Sequence, residues 1–191
     1  MKKKELVEIV FHARSGQGAK TAAQFLAEAG LAEGKEIQSF AEYGAERAGA
    51  PMKTFARISN KPIRTHEPVV DPDIAVVLDP SLTEYTNLCD GLEPHDIFLI
   101  NSPKPSAYFK KKLKCPARVY SVDATGISVK LLGKDFPNMP LLGAIIKLTK
   151  VISLNALNES IKEKYLVKLG EKGVQANIQA AKAGYDAVKV K

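Results

Sequence analysis

A glycine-rich turn near the start of the chain places the strongest constraint on its fold. Residues 6–12 predict a β-strand and residues 19–31 predict an α-helix, with the turn between them. Glycine permits a sharp bend and a close approach of the backbone to a ligand, and the N–H groups at a helix start attract anions. The turn therefore predicts a phosphate-binding site. Its candidate residues are Ser15, Gly16, Gln17, Gly18, Ala19, Lys20 and Thr21.

The turn matches neither of the common phosphate-binding fingerprints. The dinucleotide pattern G-x-G-x-x-G requires a third glycine where this chain has Thr21. The P-loop pattern G-x-x-x-x-G-K-[ST] fails because Ala19 separates Gly18 from Lys20, and because no glycine lies five residues before Gly18. A tight connection between strand and helix that binds no ligand is the alternative interpretation.

Length and composition predict an ordinary globular protein. The 191 residues suit one domain, 1–191, with a sizeable core, and the chain is 45% hydrophobic and 26% charged. No apolar run approaches the length of a membrane-spanning helix, and the apolar stretch after the basic start is too short for a signal peptide. We therefore expect a cytoplasmic protein with no membrane association.

The positive net charge favours an anionic ligand or an acidic protein partner. The formal net charge is +7, which also raises the possibility of a nucleic-acid-binding module. The lysines are scattered, however, and the densest run, residues 110–114, carries no interleaved aromatic residues for base stacking. We expect no nucleic-acid partner.

The cysteines and histidines show no metal-binding spacing. Cys89 and Cys115 are far apart and form no C-x-x-C motif, so the chain cannot by itself supply four cysteines to zinc or to an iron–sulfur cluster. We expect two free, buried thiols. His12, His66 and His95 are equally scattered. We predict no metal site and assign no catalytic residue, although a Cys–His pair brought together by the fold stays open.

Strand-like and helix-like segments alternate through the first two thirds of the chain. Three apolar runs, residues 74–78, 96–100 and 118–122, are bounded by polar residues. Such runs are typical of parallel strands that are covered on both faces. The remaining strand predictions are residues 36–40, 52–58 and, after a turn, a short antiparallel partner at 63–65.

The C-terminal part changes to helical spacing. Three helices are predicted, at residues 141–154, 160–169 and 174–188, with Gly170 and Gly173 between the last two. The whole pattern predicts a three-layer, doubly wound α/β fold with a mostly parallel sheet, helices on both faces and a helical C-terminal tail. Ligands of such folds bind beyond the carboxyl ends of the strands. Those ends supply residues 12–18, 40–44, Asp79, Asn101 and Asp123.

Residues 40–51 form a second motif. Small, backbone-permissive residues surround charged side chains, and a rigid loop of this kind can clamp an anion or fasten a subunit contact. An exposed polar loop with neither role is the alternative. The candidate residues for an interface or a ligand edge are Tyr43, Gly44, Glu46 and Arg47.

Taken together, the two motifs resemble those of the gamma subunits of 2-oxoacid:ferredoxin oxidoreductases. Gly16-Gln17-Gly18-Ala19 is similar to the family's glycine turn, and residues 42–51 are similar to its second signature. The resemblance is clearest to the gamma subunit of the pyruvate enzyme. Further similar segments follow in the same order along nearly the whole chain, at residues 56–58, 61–63, 72–73, 78–82, 138–144, 176–177 and 184–185.

The resemblance implies a subunit of a larger enzyme. That enzyme would cleave pyruvate or a related 2-oxoacid, transfer the acyl group to coenzyme A and reduce ferredoxin. Thiamine diphosphate, Mg and Fe4S4 clusters would belong to the partner alpha, beta and delta subunits, and this chain would hold no redox centre. Its expected roles are assembly and, at the glycine turn, part of the coenzyme A site. A stand-alone nucleotide-binding or phosphate-binding protein of doubly wound fold is the competing hypothesis.

Overall fold

A computed structural model describes residues 5–42 and 49–190, and it confirms the predicted α/β class. The helices are α1 (Ala19–Ala32), α2 (Ser106–Leu113), α3 (Ala124–Leu132), α4 (Asn138–Thr149) and α5 (Leu154–Ala187), with a 3-10 helix at Pro80–Glu84. The strands are β1 (Leu6–Arg14), β2 (Glu36–Glu42), β3 (Pro51–Ser59), β4 (Ile74–Val77), β5 (Ile97–Asn101) and β6 (Arg118–Val122).

The strands form one sheet in the order β2-β3-β1-β4-β5-β6. β1, β4, β5 and β6 pair in parallel, and β3 is antiparallel to both β1 and β2. β2 therefore runs in the same direction as β1, and only β3 is reversed. The chain leaves β1 toward β2 on one side and later returns to β4 on the other, so the topological switch point lies between β1 and β4.

Two separate cores cover the two faces of the sheet. On the side we call the helical face, Ile9 and Phe11 of β1 belong to a cluster built with α1, α3, α4 and α5. On the side we call the thin face, Val10 of β1 belongs to a smaller cluster built with α2, the 3-10 helix and loops. Every residue of β4 and β5 is buried, which is why these strands are apolar without alternation.

Two glycines bring α4 and α5 into direct backbone contact on the helical face. A Cβ at Gly143 would overlap the carbonyl oxygen of Ala181, and a Cβ at Gly184 would overlap the carbonyl oxygen of Pro140. The segments 138–144 and 184–185, which carry part of the family resemblance, are thus packed against each other. Their residue types are explained by this close approach.

The tail helices differ in their ends from the prediction. α4 ends at Thr149 because Lys150 adopts a left-handed conformation, with φ 53°. α5 starts at Leu154, six residues earlier than predicted, because the Ser153 hydroxyl accepts a hydrogen bond from the Ala156 N–H at 3.1 Å. The predicted break is present as a kink at Gly170, where φ is 64° and ψ is 178°.

The predicted short strand at residues 63–65 is wrong. This segment follows β3 without strand pairing, because side chains satisfy its backbone in place of a neighbouring strand. Gln38 Nε2 donates to the Thr65 carbonyl at 3.0 Å, and Arg57 Nη2 donates to the Glu67 carbonyl at 2.7 Å. Pro62, just before the segment, has no N–H to offer a strand partner.

Candidate ligand-binding site at the carboxyl edge of the sheet

The glycine turn adopts a conformation that other residue types resist. Gly16 has φ 98° and Gly18 has φ 82°, both in the left-handed region. Gly18 is the residue directly before α1, and no side chain caps the helix start there. The first N–H groups of α1 therefore lie beyond the carboxyl end of β1, where the helix dipole favours an anion.

Hydrogen bonds hold the turn against the neighbouring strand. The Gln17 side chain accepts from the Arg14 N–H at 2.8 Å and donates through Nε2 to Asp79 Oδ2 at 3.0 Å. Arg14 Nε pairs with the same Asp79 oxygen at 3.1 Å. Asp79 follows β4, so these contacts tie the ends of β1 and β4 together at the switch point.

The ionised form of Asp79 is stabilised by this network. Burial alone would raise the pKa of the carboxyl, but hydrogen bonds from Ser81 and Gln17 and the charge of Arg14 hold it below its usual value. The Ser81 N–H donates to Asp79 Oδ1 at 2.9 Å. Asp79 is thus a fixed anion that positions the turn, and we assign it no proton-transfer role.

The predicted turn residues differ in exposure and in the contacts of their side chains. Ser15, Gly16 and Lys20 are exposed around the turn, whereas the Ala19 side chain is buried in the core of the helical face. Because the Gln17 side chain is engaged with Arg14 and Asp79, it supports the turn. Gln17 and Ala19 can therefore contact a ligand only through their backbone atoms.

The first residue of α4 limits the space beside the turn. A Cβ at Gly18 would lie 2.7 Å from Asn138 Nδ2, whereas a Cβ at Gly16 would meet nothing within 4 Å. Asn138 is buried and accepts from the Met139 N–H at 2.9 Å. Gly18 is therefore required by both conformation and space, and Gly16 by conformation alone. Sequence reasoning did not include Asn138 in the site, and it placed Arg14 at this edge of the sheet without giving it a role.

Other polar residues of the carboxyl edge serve the backbone. Asn101 Nδ2 donates to the Leu78 carbonyl and to Thr125 Oγ1, both at 2.9 Å, and its Oδ1 accepts from the Thr125 N–H at 3.0 Å. Asp123 Oδ1 accepts from the Gly126 N–H at 2.9 Å and so caps α3. The predicted gathering of these residues at one edge is confirmed, but these hydrogen bonds are structural.

A cavity of about 260 Å³ lies on the thin face, near the carboxyl end of β1. His12 lies in it, two residues before Arg14 on β1. Burial, with a smaller effect from the charge of Lys53, lowers the pKa of His12 to about 4. The imidazole is therefore neutral near pH 7. The lining residues are His12, Glu42, Pro51, Met52, Lys53, Leu82, Thr86 and Leu88.

The predicted interface residues Tyr43, Gly44, Glu46 and Arg47 lie outside the described residues. The chain that follows them is fastened to the glycine turn. The Arg14 guanidinium donates to the Gly49 carbonyl at 3.0 Å, and the Ser15 N–H donates to the Ala50 carbonyl at 3.1 Å. The end of the second motif is therefore in contact with the first.

Residues 5–42 and 49–190 show neither a cluster of potential metal ligands nor a helix that could span a membrane. No group of three or more His, Cys, Asp or Glu residues there is arranged to hold a metal ion. No helix in the same residues has the length and apolar character needed to cross a membrane.

A doubly wound sheet with a glycine turn at its switch point defines an α/β protein of the class whose ligands bind at the carboxyl edge of the sheet. The chain belongs to the pyruvate ferredoxin/flavodoxin oxidoreductase family, whose sequence model matches residues 8–187. The expected membership in this family is confirmed.

Relatives of known name cover nearly the whole chain. The common gamma subunit of the pyruvate/ketoisovalerate oxidoreductases of Pyrococcus furiosus is 41% identical over 186 residues, which is 97% of this chain and 98% of the relative. The pyruvate synthase subunit PorC of Thermotoga maritima is 40% identical over 186 residues, covering 97% of this chain and 96% of the relative.

Solved structures agree with the fold. The crystal structure of the Thermotoga maritima pyruvate oxidoreductase subunit PORC has a TM-score of 0.87 at 38% identity, covering 97% of this chain and 98% of that one. A 2-oxoglutarate:ferredoxin oxidoreductase from Magnetococcus marinus, solved with 2-oxoglutarate, coenzyme A and succinyl-CoA bound, has a TM-score of 0.79. It is 22% identical, covers 97% of this chain and 32% of that chain, and supports the fold alone.

Proposed function

We propose that this chain is the gamma subunit of a pyruvate (2-oxoacid):ferredoxin oxidoreductase. The complete enzyme oxidatively decarboxylates a 2-oxoacid to acyl-CoA and CO2 and reduces ferredoxin. Family membership over residues 8–187 supports this assignment and disfavours the stand-alone nucleotide-binding protein. In the proposal, alpha, beta and delta subunits carry thiamine diphosphate, Mg and the Fe4S4 clusters, and this chain folds as one domain that holds none of them.

Within that enzyme, the glycine turn binds part of coenzyme A through its anionic phosphates. The single observation that carries this proposal is the uncapped start of α1 behind two left-handed glycines, at the switch point of the sheet. Backbone N–H groups of residues 19–21 supply the donors, and the exposed Lys20 ammonium adds positive charge. Neither contribution requires a catalytic residue on this chain.

Assembly is the second proposed role, and it is assigned to the loop that carries Tyr43, Gly44, Glu46 and Arg47. The contacts of Gly49 and Ala50 with the turn support a shared location for assembly and coenzyme binding. Truncating Arg47 to alanine should then release the gamma chain from the complex, which co-purification measures. Normal stoichiometry and full coenzyme-dependent activity would leave the loop without either role.

The test of the coenzyme site uses two glycines that share a left-handed conformation and open surroundings. Gly16 lies in the turn and Gly34 lies between α1 and β2, and at neither would a Cβ meet an atom within 4 Å. In the assembled enzyme, Gly16→Val should raise KM for coenzyme A by about tenfold, equivalent to about 1.4 kcal/mol of binding energy, with KM for the 2-oxoacid unchanged.

Gly34→Val should leave both constants unchanged, because this control shares the backbone strain but lies at the opposite edge of the sheet. An unchanged coenzyme A constant in a fully assembled Gly16→Val enzyme would mean that the turn is only structural. A rise in the constants of both variants would point to a general loss of stability.

A further inference from the structure

The cavity on the thin face is built on a row of residues from three neighbouring strands. His12 of β1 is paired with Lys53 of β3, and Lys53 is paired with Glu42 of β2. Residues paired in this way point to the same face of a sheet, and all three line the cavity. Its described lining includes none of the glycine-turn residues 15–21. The cavity is therefore separate from the proposed coenzyme site.

His12 supplies the cavity with a buried polar group that has no protein partner. The residue is 7% exposed, yet within the described part of the chain its imidazole makes no hydrogen bond. Arg57, which is buried on the same face, is by contrast hydrogen-bonded to three groups of the chain. Because buried polar groups are normally hydrogen-bonded, the imidazole is available to a molecule that enters the cavity. In its neutral form it offers one N–H donor.

The charges beside His12 favour a ligand with one negative charge. Burial, and after it the charge of Lys53, lowers the pKa of His12, which shows that the ammonium lies close to the imidazole. An ammonium and an N–H donor together suit a carboxylate. Glu42 lies one strand further from His12. Its negative charge would repel the second carboxylate of a dicarboxylic acid.

The remaining walls of the cavity suit a short alkyl chain. Leu82 and Leu88 line it and belong to the thin-face core. An engineered protein cavity of about 150 Å³ holds benzene, so this one, of about 260 Å³, has room for roughly ten non-hydrogen atoms. A carboxylate that carries an alkyl chain of a few carbon atoms fills this space and buries apolar surface.

We propose that this cavity binds a short-chain aliphatic monocarboxylate. The carboxylate accepts hydrogen bonds from the Lys53 ammonium and the His12 imidazole, and the alkyl chain packs against Leu82 and Leu88. Binding here involves no chemical step. This site goes beyond the proposed coenzyme-binding and assembly roles and does not depend on either of them.

Nuclear magnetic resonance of the histidine side chains in the folded full-length chain tests the site, with valerate as the probe. His66 and His95 are exposed and lie outside the described lining of the cavity, so they are internal controls. Valerate should shift the His12 resonance, with a dissociation constant of about 1 mM, and leave the other two in place. It should also raise the pKa of His12, because a bound carboxylate favours the imidazolium. The spectrum of His12→Gln assigns the resonance.

Ligand analogues and matched lysine variants separate the contributions to binding. Valeramide has the same chain length without the charge, and glutarate has the same chain length with a second carboxylate. Each should bind about tenfold more weakly than valerate or worse. Lys53→Met should weaken valerate binding by about tenfold, because it removes the ammonium. Lys111→Met removes the same charge from an exposed position of α2 and should leave valerate binding unchanged.

Three results would overturn the proposal. A His12 resonance that does not move with valerate would mean that the cavity holds only water. Equal affinity for valerate and either analogue would contradict a site for monocarboxylates. A folded Lys53→Met chain that binds valerate as well as Lys111→Met does would remove Lys53 from the site. If Lys53→Met fails to fold, the comparison of the three ligands on the wild-type chain decides the matter.

Discussion

The two faces of the sheet are buried by different means. On the helical face, α1, α3, α4 and α5 cover the strands, and the contact of α4 with α5 is close enough to require glycine. On the thin face, one α-helix, a 3-10 helix and loops cover the same strands. The buried side chains there include His12, Arg57, Cys89 and Cys115. Packing on the helical face depends on the complementary shapes of the helices. Packing on the thin face depends on hydrogen bonds and ion pairs of buried polar groups.

Loops explain the polar character of the thin face. Loop backbones need hydrogen-bond partners that a helix would supply internally, and Arg57 provides one. It is 2% exposed, pairs with Glu8 at 2.7 Å and donates to the Glu67 carbonyl. A buried charge is therefore tolerated where a helix is missing.

Replacing either contact glycine of the helical face should have the largest effect. Gly143→Ala or Gly184→Ala places a Cβ on a carbonyl oxygen of the facing helix, and packed backbones cannot yield as side chains do. We expect a loss of roughly 4 kcal/mol or more in the free energy of unfolding, measured by urea denaturation. Gly34→Ala is the control and should lose only about 1 kcal/mol, the cost of the left-handed conformation.

Truncating Arg57 should have the next largest effect and act on the thin face. Arg57→Ala removes the partner of Glu8 and the donor to the Glu67 carbonyl, with an expected loss of about 3 kcal/mol in unfolding free energy. The estimate is at the low end for a buried pair because the Glu8 side chain is 24% exposed. Arg57→Met with Glu8→Gln should recover part of the loss. If Arg57→Ala has the stability of wild type, polar satisfaction does not hold this face together.

The pH dependence of unfolding tests His12. Its folded pKa of about 4 lies below the usual histidine value of 6.5, so the unfolded chain binds the proton first as the pH falls. The stability is unaffected above about pH 6.5 and decreases between pH 6.5 and 4. By pH 5 this group alone should remove about 2 kcal/mol. Urea midpoints at pH 7 and pH 5 should therefore differ less in His12→Gln than in wild type, and an equal difference would contradict the assignment.

The smallest effect should come from a polar atom of the helical face that lacks a partner. Thr54 Oγ1 is buried without a hydrogen bond among the described residues. Thr54→Val removes that unsatisfied oxygen at constant shape, so we expect the free energy of unfolding to stay within about 0.5 kcal/mol of wild type or to rise. Thermal denaturation measures it, with Thr149→Val as control, because Thr149 Oγ1 donates to the Ile145 carbonyl at 2.8 Å.

The parts of the fold that depend on local residues were predicted well. Residues 118–122 were placed as a strand with both ends correct, the strand–turn–helix at the start was confirmed, and Gly170 was identified as a break in the tail. Apolar runs and glycine positions carry this information within a few residues. The strand at 63–65 was wrong because the donor to its Thr65 carbonyl is the Gln38 side chain, which is 27 residues away in sequence.

The site was predicted less completely, for a related reason. The turn itself is a local pattern, so its left-handed glycines were predictable. The contacts from Arg14 and Gln17 to Asp79 and the approach of Asn138 to Gly18 join segments separated by many residues. Nothing in the spacing of a single sequence specifies such pairs. The burial of Arg57 was also not predictable, because a charged residue in a strand normally indicates a solvated position.

Hydrogen exchange in the assembled enzyme, with and without coenzyme A, tests whether the glycine turn binds the coenzyme. If the turn holds the coenzyme, the amides of residues 19–21 should exchange more slowly when coenzyme A is bound, because they donate to its phosphates. The amides of residues 33–36, around the control Gly34, should exchange at the same rate in both states. Unchanged exchange at residues 19–21 under saturating coenzyme A, in an active complex, would show that the turn does not hold the coenzyme.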